Sequence, residues 1–205
     1  MRRLSRFRRR SRPSATVRPT TAAGLAGEAT IPKSVRRWQL EPTFGRLVDH
    51  ALEATGAPVP CDLAGGPAAR LFHLVSLLDF VREAPGAMAE VGVYRGESAL
   101  LACKWRQLDD PGFRGEGFHL FDSFAGLSDL GPEDYVEDRI EGFRPRHAGM
   151  FSASLDAVRA ALAEFPEITF HPGWIPECFE TGPDVTYRYV HIDVDTYQPT
   201  LDSLR

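Results

Sequence analysis

Four short apolar segments, separated by stretches of helical periodicity, constrain the fold of this chain more than any other feature. Helical spacing of apolar residues is found over 44–56, 71–81, 97–107 and 151–165, the last with Ser152 or Ser154 as its N-cap. Buried strands that alternate with helices are typical of a parallel sheet covered on both faces. The sequence therefore predicts an α/β fold with a doubly wound parallel sheet. Its strands are predicted at 87–91, 118–121, 168–170 and 189–192.

Charge divides the chain into a basic arm and an acidic body. Residues 1–12 hold seven of the 24 Lys and Arg residues and no acid, which leaves 17 basic residues against 28 acidic ones. We predict a basic disordered arm over 1–35 and a folded domain over 36–205. A basic arm can contact nucleic acid or an anionic membrane. A solvated tail explains it as well, and the acidic body does not favour nucleic acid as a partner.

Hydropathy and cysteine usage predict a cytoplasmic protein without a membrane span. No apolar run approaches the roughly 20 residues that cross a bilayer, and the arm lacks the apolar core of a secretory signal. The cysteines, Cys61, Cys103 and Cys178, lie too far apart in the sequence for a paired metal motif. We interpret them as neutral thiols in a reducing compartment.

Polar residues follow each predicted strand at its carboxyl end, where open parallel sheets bind their ligands. These strand ends supply Glu90 with Gly92 and Gly96, then Asp122-Ser123, then His171 to Trp174, and finally Asp193-Val194-Asp195. We expect Glu90, Asp122 and Asp193 to converge on one cavity.

The first of these turns has the spacing E-x-G-x-x-x-G, which differs from the dinucleotide fingerprint G-x-G-x-x-G. Two glycines let the backbone approach a ligand closely, and the amides near Glu97 and Ser98 at the start of the next helix can receive a carboxylate. An ordinary strand-to-helix turn explains the same pattern.

The later aspartates have functional and structural interpretations. Asp122, 26 residues after Gly96, can accept both hydroxyls of a ribose, or it can be a turn or capping residue. Asp193 can bind a divalent cation or act as a base on a hydroxyl. For Asp195 we favour a structural role at the start of the next helix.

The stretch 128–150 fits neither period and is predicted to be a lid over the cavity. Its longer polar side chains either contact the molecule on which the protein acts or are solvated loop residues. They are Tyr135, Arg139, Arg144, Arg146 and His147.

Four ordered motifs resemble the macrocin O-methyltransferase family, S-adenosylmethionine-dependent enzymes that methylate sugar hydroxyls on natural products. The motifs are EVGVYRGES (90–98), LFDSFAGL (120–127), ITFHPGWIPECFE (168–180) and VHIDVDTYQPTLDSL (190–204). The resemblance runs from about residue 65 to the end, and it implies a class I methyltransferase fold of Rossmann-like type.

The resemblance also implies roles for individual residues. Asp122 and Ser123 would bind the ribose, Gly173 and Trp174 would lie near the adenine, and Asp193 would bind magnesium and remove the proton of the accepting hydroxyl. Glu90 would receive the ammonium group of the methionine part. The residues around that part would be Glu90, Gly92, Val93, Tyr94, Gly96, Glu97 and Ser98.

The sequence departs from this family in two places. It ends in the first turns of a helix, before a further aspartate pair, so we expect the domain over 36–205 to be incomplete and later strands to be missing. The segment 64–67 lacks the threonine expected there. We expect an unfinished sheet edge to favour either association into homo-oligomers or instability.

Three functions remain open from the sequence. The first is a magnesium-assisted O-methyltransferase acting on a small molecule with a free hydroxyl. The second is a non-catalytic cofactor-binding remnant or interaction module. The third is a metal-dependent glycosyltransferase that uses Asp193-Val194-Asp195.

Overall fold

A computed structural model describes residues 42–58, 67–134 and 147–205. The predicted arm, Cys61 and four of the lid residues (Tyr135, Arg139, Arg144 and Arg146) lie outside these ranges. The helices are α1 (Pro42–Thr55), α2 (Pro67–Phe80), α3 (Glu97–Asp109), α4 (Leu155–Ala161) and α5 (Tyr197–Ser203). The strands are β1 (Ala87–Val91), β2 (Phe118–Asp122), β3 (Thr169–Pro172) and β4 (Tyr187–Ile192), and short 3-10 turns cover Pro132–Asp134 and Glu177–Thr181.

The four strands form one parallel sheet in the order β3-β2-β1-β4. In its register Glu90 is paired with Leu120 on one side and with His191 on the other. All four carboxyl ends therefore open at the same edge, and the predicted parallel α/β architecture is confirmed.

Alternate strand residues pack on opposite faces of the sheet, as the pleat requires. Met88 and Leu120 belong to the larger core cluster, which also holds the buried residues of α1, α3 and α4. On the other face, Ala89, Val91 and Phe121 pack with Cys178 in a smaller cluster. The larger core supports β1 and α3, the two elements that flank the glycine-containing turn.

Helix α4 is shorter than predicted. It begins at Leu155, with Ser154 at the N-cap position but without a side-chain capping bond, and it ends at Ala161 instead of residue 165. Val158, Leu162 and Phe165 are all buried, because the turn after α4 continues the same spacing with a bond from the Phe165 amide to the Leu162 carbonyl. Burial periodicity thus extends beyond the helix, which is why the sequence pattern overestimated its length.

Strand β3 begins one residue later and ends two residues later than predicted, and β4 begins two residues earlier. Cys103 and Cys178 are buried and free, and burial raises the pKa of the Cys178 thiol to about 11, in accord with neutral thiols.

Within the described ranges, every helix is too short or too polar to cross a membrane.

Candidate functional site

A cleft lies at the carboxyl edge of the sheet, between the turn after β1 and the turn after β4. It holds about 780 Å³ of space, counting the open solvent at its mouth. Ten of the twelve predicted site residues line it: Gly92, Val93, Tyr94, Glu97, Ser98, Asp122, Ser123, Gly173, Trp174 and Asp193. Glu90 and Gly96 do not.

Gly92 is required by the contact between β1 and β4. It has φ +88°, and a Cβ atom there would lie 2.7 Å from the carbonyl carbon of Asp193 and closer still to its oxygen. The Asp193 amide donates to the Val91 carbonyl at 2.8 Å, so the two main chains are held against each other. Gly92 does line the cleft. Close approach of a ligand is nevertheless an incomplete explanation for a glycine at this position, because the end of β4 fills the space that a side chain would need.

Gly96 has a packing role that sequence reasoning missed. It is the N-cap of α3 with φ +85°, and a Cβ atom would lie 3.2 Å from Val158 and 3.4 Å from Leu162. The prediction that this glycine opens the backbone to a ligand is therefore not supported: α4 packs there instead.

Asp122 organises the turn after β1. Its Oδ2 accepts the amides of Val93 at 2.6 Å and Tyr94 at 3.0 Å, while its Oδ1 accepts the Phe124 amide at 2.6 Å. A carboxylate has about four acceptor positions, so three bonds leave room for about one further donor from the cleft. Asp122 thus has the predicted structural role in a turn, and a contact to one ribose hydroxyl is compatible with that role.

Ser123 next to it is also used locally. Its hydroxyl donates to the Gly126 carbonyl at 3.2 Å and accepts the Ala125 amide at 3.1 Å. These bonds fix the start of the loop that forms one wall of the cleft.

Glu90 is almost completely buried behind the wall of the cleft. Its Oε1 accepts a hydrogen bond from the Ser98 hydroxyl and another from Nδ1 of His191 at 3.0 Å. Burial by itself lowers the pKa of His191, but the hydrogen bond and charge of Glu90, with the charge of Asp193, outweigh it and raise that pKa. Of the three carboxylates expected to converge, Asp122 and Asp193 therefore face the cleft, whereas Glu90 reaches it only through Ser98.

Glu97 is the first residue of α3 and has a half-satisfied carboxylate. Its Oε1 lies 3.5 Å from Nη2 of Arg70, whereas Oε2 is buried without a hydrogen-bond partner among the described residues. Burial raises the pKa of this carboxyl group, and the charges of Glu90 and Asp193 add to the rise, although Arg70 and a backbone hydrogen bond oppose it.

Arg70, near the start of α2, was not identified from the sequence. Its Nη1 donates to Oδ2 of Asp193 while Nη2 approaches Glu97, so one guanidinium joins α2, α3 and the end of β4. Arginine suits this position because its planar group can face two carboxylates at once. The sequence signal was weak, since Arg70 lies 123 residues from Asp193.

The donor set around Asp193 does not form a metal site within the part of the chain that the structure describes. No group of three or more His, Cys, Asp or Glu side chains is placed to hold an ion there, and hard divalent cations take six or more oxygen ligands. The sequence-based magnesium site is thus not supported by these residues.

The remaining walls come from the loops after β3 and around residue 151. Gly173, with φ +153°, donates its amide to the Asp122 carbonyl at 2.9 Å, and Trp174 is 47% exposed. Phe151 contacts the ring of Tyr94 edge to face, with 5.6 Å between ring centres. Of the predicted lid residues, His147 is described, and it is exposed and does not line the cleft.

Comparisons with known proteins found similar sequences and folds. The model of the family described as macrocin O-methyltransferase (TylF) matches residues 52–205. Demethyldecarbamoylnovobiocin O-methyltransferase from Streptomyces niveus is 29% identical over 124 residues, which are 58% of this chain and 46% of that protein. The chain thus spans less than half the length of this curated relative.

Two solved structures have a similar fold. The calicheamicin methyltransferase CalS11 matches with a TM-score of 0.55 at 18% identity, over 83% of this chain and 76% of that one. The O-methyltransferase NovP matches with a TM-score of 0.54 at 21% identity, over 79% and 76% of the two chains. With three quarters of its length matched by the family model, the chain belongs to the macrocin O-methyltransferase family and has the α/β fold of class I methyltransferases.

Proposed function

We propose that this protein is an S-adenosylmethionine-dependent O-methyltransferase that acts on a hydroxyl of a small molecule, in particular a sugar hydroxyl of a glycosylated natural product. Membership of the family supports this, as does the relative whose name gives it as an O-methyltransferase of a novobiocin precursor. The observation that carries the proposal is one cleft that brings Asp122 and Asp193 together with the turn after β1.

The residues present fit the cofactor. The cofactor contains a sulfonium and an ammonium group, and the cleft is lined by four acidic residues, Glu97, Asp122, Asp193 and Asp195. Arg70 pairs with two of them, Glu97 and Asp193. The buried Oε2 of Glu97 lacks a donor in the described residues, as expected where a ligand completes the site. When bound, the cofactor supplies an electrophilic methyl carbon.

The chain's own contribution is to orient an accepting hydroxyl and remove its proton. Asp193 lines the cleft with a side chain that is 40% exposed, so its carboxylate is accessible to a substrate hydroxyl. Arg70 holds Oδ2 of Asp193 and leaves Oδ1 as the oxygen able to take a proton. Trp174 and Phe151 line the cleft as apolar walls.

The proposed reaction does not depend on magnesium, and whether this ion binds is left to a titration. The described residues contain no group of three or more His, Cys, Asp or Glu side chains placed to hold an ion, and Oδ2 of Asp193 already pairs with Arg70. We therefore derive no step through a metal and expect titration with magnesium to show whether Asp193 contributes to a site.

The wider setting is also proposed. We propose that the protein is cytoplasmic and that its partner is a small-molecule acceptor with a free hydroxyl. We also propose that it forms homo-oligomers rather than complexes with nucleic acid. The glycosyltransferase alternative loses its support, because the family whose model matches this chain is one of methyltransferases.

Binding and transfer are tested separately on the purified protein. S-adenosylhomocysteine is titrated by calorimetry with and without magnesium, with Trp174 fluorescence as a second signal because this side chain lines the cleft. Transfer of a labelled methyl group to a panel of glycosylated acceptors then compares the native chain with Asp193→Asn. We expect binding in both and transfer in the native chain alone.

Two results would contradict this proposal. Binding without transfer to any acceptor favours a cofactor-binding remnant. Absence of binding removes the methyltransferase assignment.

A further inference from the structure

The carboxylate of Glu97 combines burial, an empty acceptor position and a place on the wall of the cleft. Oε2 is buried without a hydrogen-bond partner among the described residues, and Arg70 approaches only the other oxygen, at 3.5 Å. Buried acceptors are satisfied in most proteins, so an acceptor left open at a cleft indicates a donor that arrives with the ligand.

Three other carboxylates at this edge already have donors. Glu90 accepts from Ser98 and from His191 and lies behind the wall. Asp122 accepts three backbone amides, and Asp193 accepts the guanidinium of Arg70. Glu97 differs from them because one oxygen of its carboxylate is both buried and without a hydrogen-bond partner among the described residues.

The chemistry of the cofactor decides which of its groups this oxygen can receive. The sulfonium carries positive charge but has no N–H or O–H to donate, and the ribose hydroxyls are neutral. The ammonium of the methionine tail has both charge and three donors, and charge-assisted hydrogen bonds are about twice as strong as neutral ones. It is therefore the group that best compensates a buried, partly unsatisfied carboxylate.

We infer that Glu97, and not Glu90, receives the ammonium group of the cofactor's methionine tail, while Glu90 positions the start of α3 through Ser98. This inference rests on the proposed function. It replaces the sequence-based role of Glu90 with an indirect one: His191 and Ser98 both bond to Oε1 of its carboxylate, and Ser98 in turn lines the cleft.

The test compares two ligands that differ in one group. S-adenosylhomocysteine and its analogue without the α-amino group are titrated calorimetrically against the native chain, Glu97→Gln and Glu90→Gln. Glu83→Gln, at a side chain 92% exposed, is the matched control. Since hydrogen bonds to charged groups exceed neutral ones by about a tenfold factor in affinity, Glu97→Gln should bind S-adenosylhomocysteine about 10-fold more weakly.

The same variant should bind the deaminated analogue no more weakly than the native chain does. Glu90→Gln should weaken both ligands by the same factor, and Glu83→Gln should change neither. Thermal unfolding provides the folding control: Glu97→Gln should unfold at the native temperature or above it, because it removes a buried charge that lacks a full set of partners.

The outcomes separate the two proposals. If the native chain binds S-adenosylhomocysteine but Glu97→Gln loses affinity equally for both ligands, or loses none, the inference is overturned and the proposed function stands. If Glu90→Gln is the variant that discriminates between the ligands, the roles are reversed and the inference is wrong. If the native chain binds neither ligand, the proposed function fails and the inference with it.

Discussion

Replacing Gly92 with alanine tests the main-chain contact between β1 and β4 at the floor of the cleft. The residue has φ +88°, a conformation that costs an L-residue about 1–2 kcal/mol. The added Cβ atom would also meet the Asp193 carbonyl, 2.7 Å from its carbon, and a strand backbone has little freedom to move away. Overpacking of this kind costs about 1–3 kcal/mol, so the total loss is about 2–5 kcal/mol of the roughly 5–15 kcal/mol that stabilises a typical domain.

Gly117 is the matched control for this change. It has φ +70°, yet a Cβ atom there would have nothing within 4 Å, so Gly117→Ala should show the conformational cost of about 1–2 kcal/mol alone. Urea unfolding of both variants gives the two losses from their midpoints. Equal losses would refute the reasoning, because they would mean that the contact with Asp193 adds nothing. Gly92→Ala should also weaken binding of S-adenosylhomocysteine, since it displaces the end of β4.

Two further predictions concern the sheet and the turn. Burial lowers the pKa of His171, and burial with the charge of His171 lowers that of His119. The unfolded chain therefore protonates these two histidines at a higher pH than the folded chain does, and their contribution to stability is lost as pH falls below about 6.5. His171→Gln should flatten the dependence of the urea midpoint on pH over that window; an unchanged slope would contradict this assignment. Asp122→Asn leaves at least one of three partly buried amides without its acceptor and should cost about 1–3 kcal/mol in urea unfolding. Asp156→Asn, at a side chain 94% exposed, should cost close to nothing; similar losses in both would disprove the turn role of Asp122.

The parallel sheet was predictable because its signals are local. Each strand is a short apolar run, and β1 with α3 was located to within two residues from Ala87–Val91 and the helix that begins at Glu97. The convergence of strand ends followed from the geometry of parallel sheets, so the positions of Asp122 and Asp193 on one cleft were also accessible from the sequence.

The partners of individual side chains were not predictable, because they come from distant parts of the chain. Glu90 meets His191 across 101 residues, and Arg70 meets Asp193 across 123. The glycines show the same limit. Spacing indicated that Gly92 and Gly96 must be small, but only tertiary packing shows that a neighbouring strand and α4, rather than a ligand, occupy the adjacent space.

The contact of Gly92 with the Asp193 carbonyl has a consequence for how members of such a family diversify. Since main-chain atoms set the separation between the tips of β1 and β4, substitutions in the surrounding loops can alter which molecules enter without moving the two tips apart. New substrate preferences can then arise by mutation at the rim, while the distance between donor and acceptor is inherited unchanged.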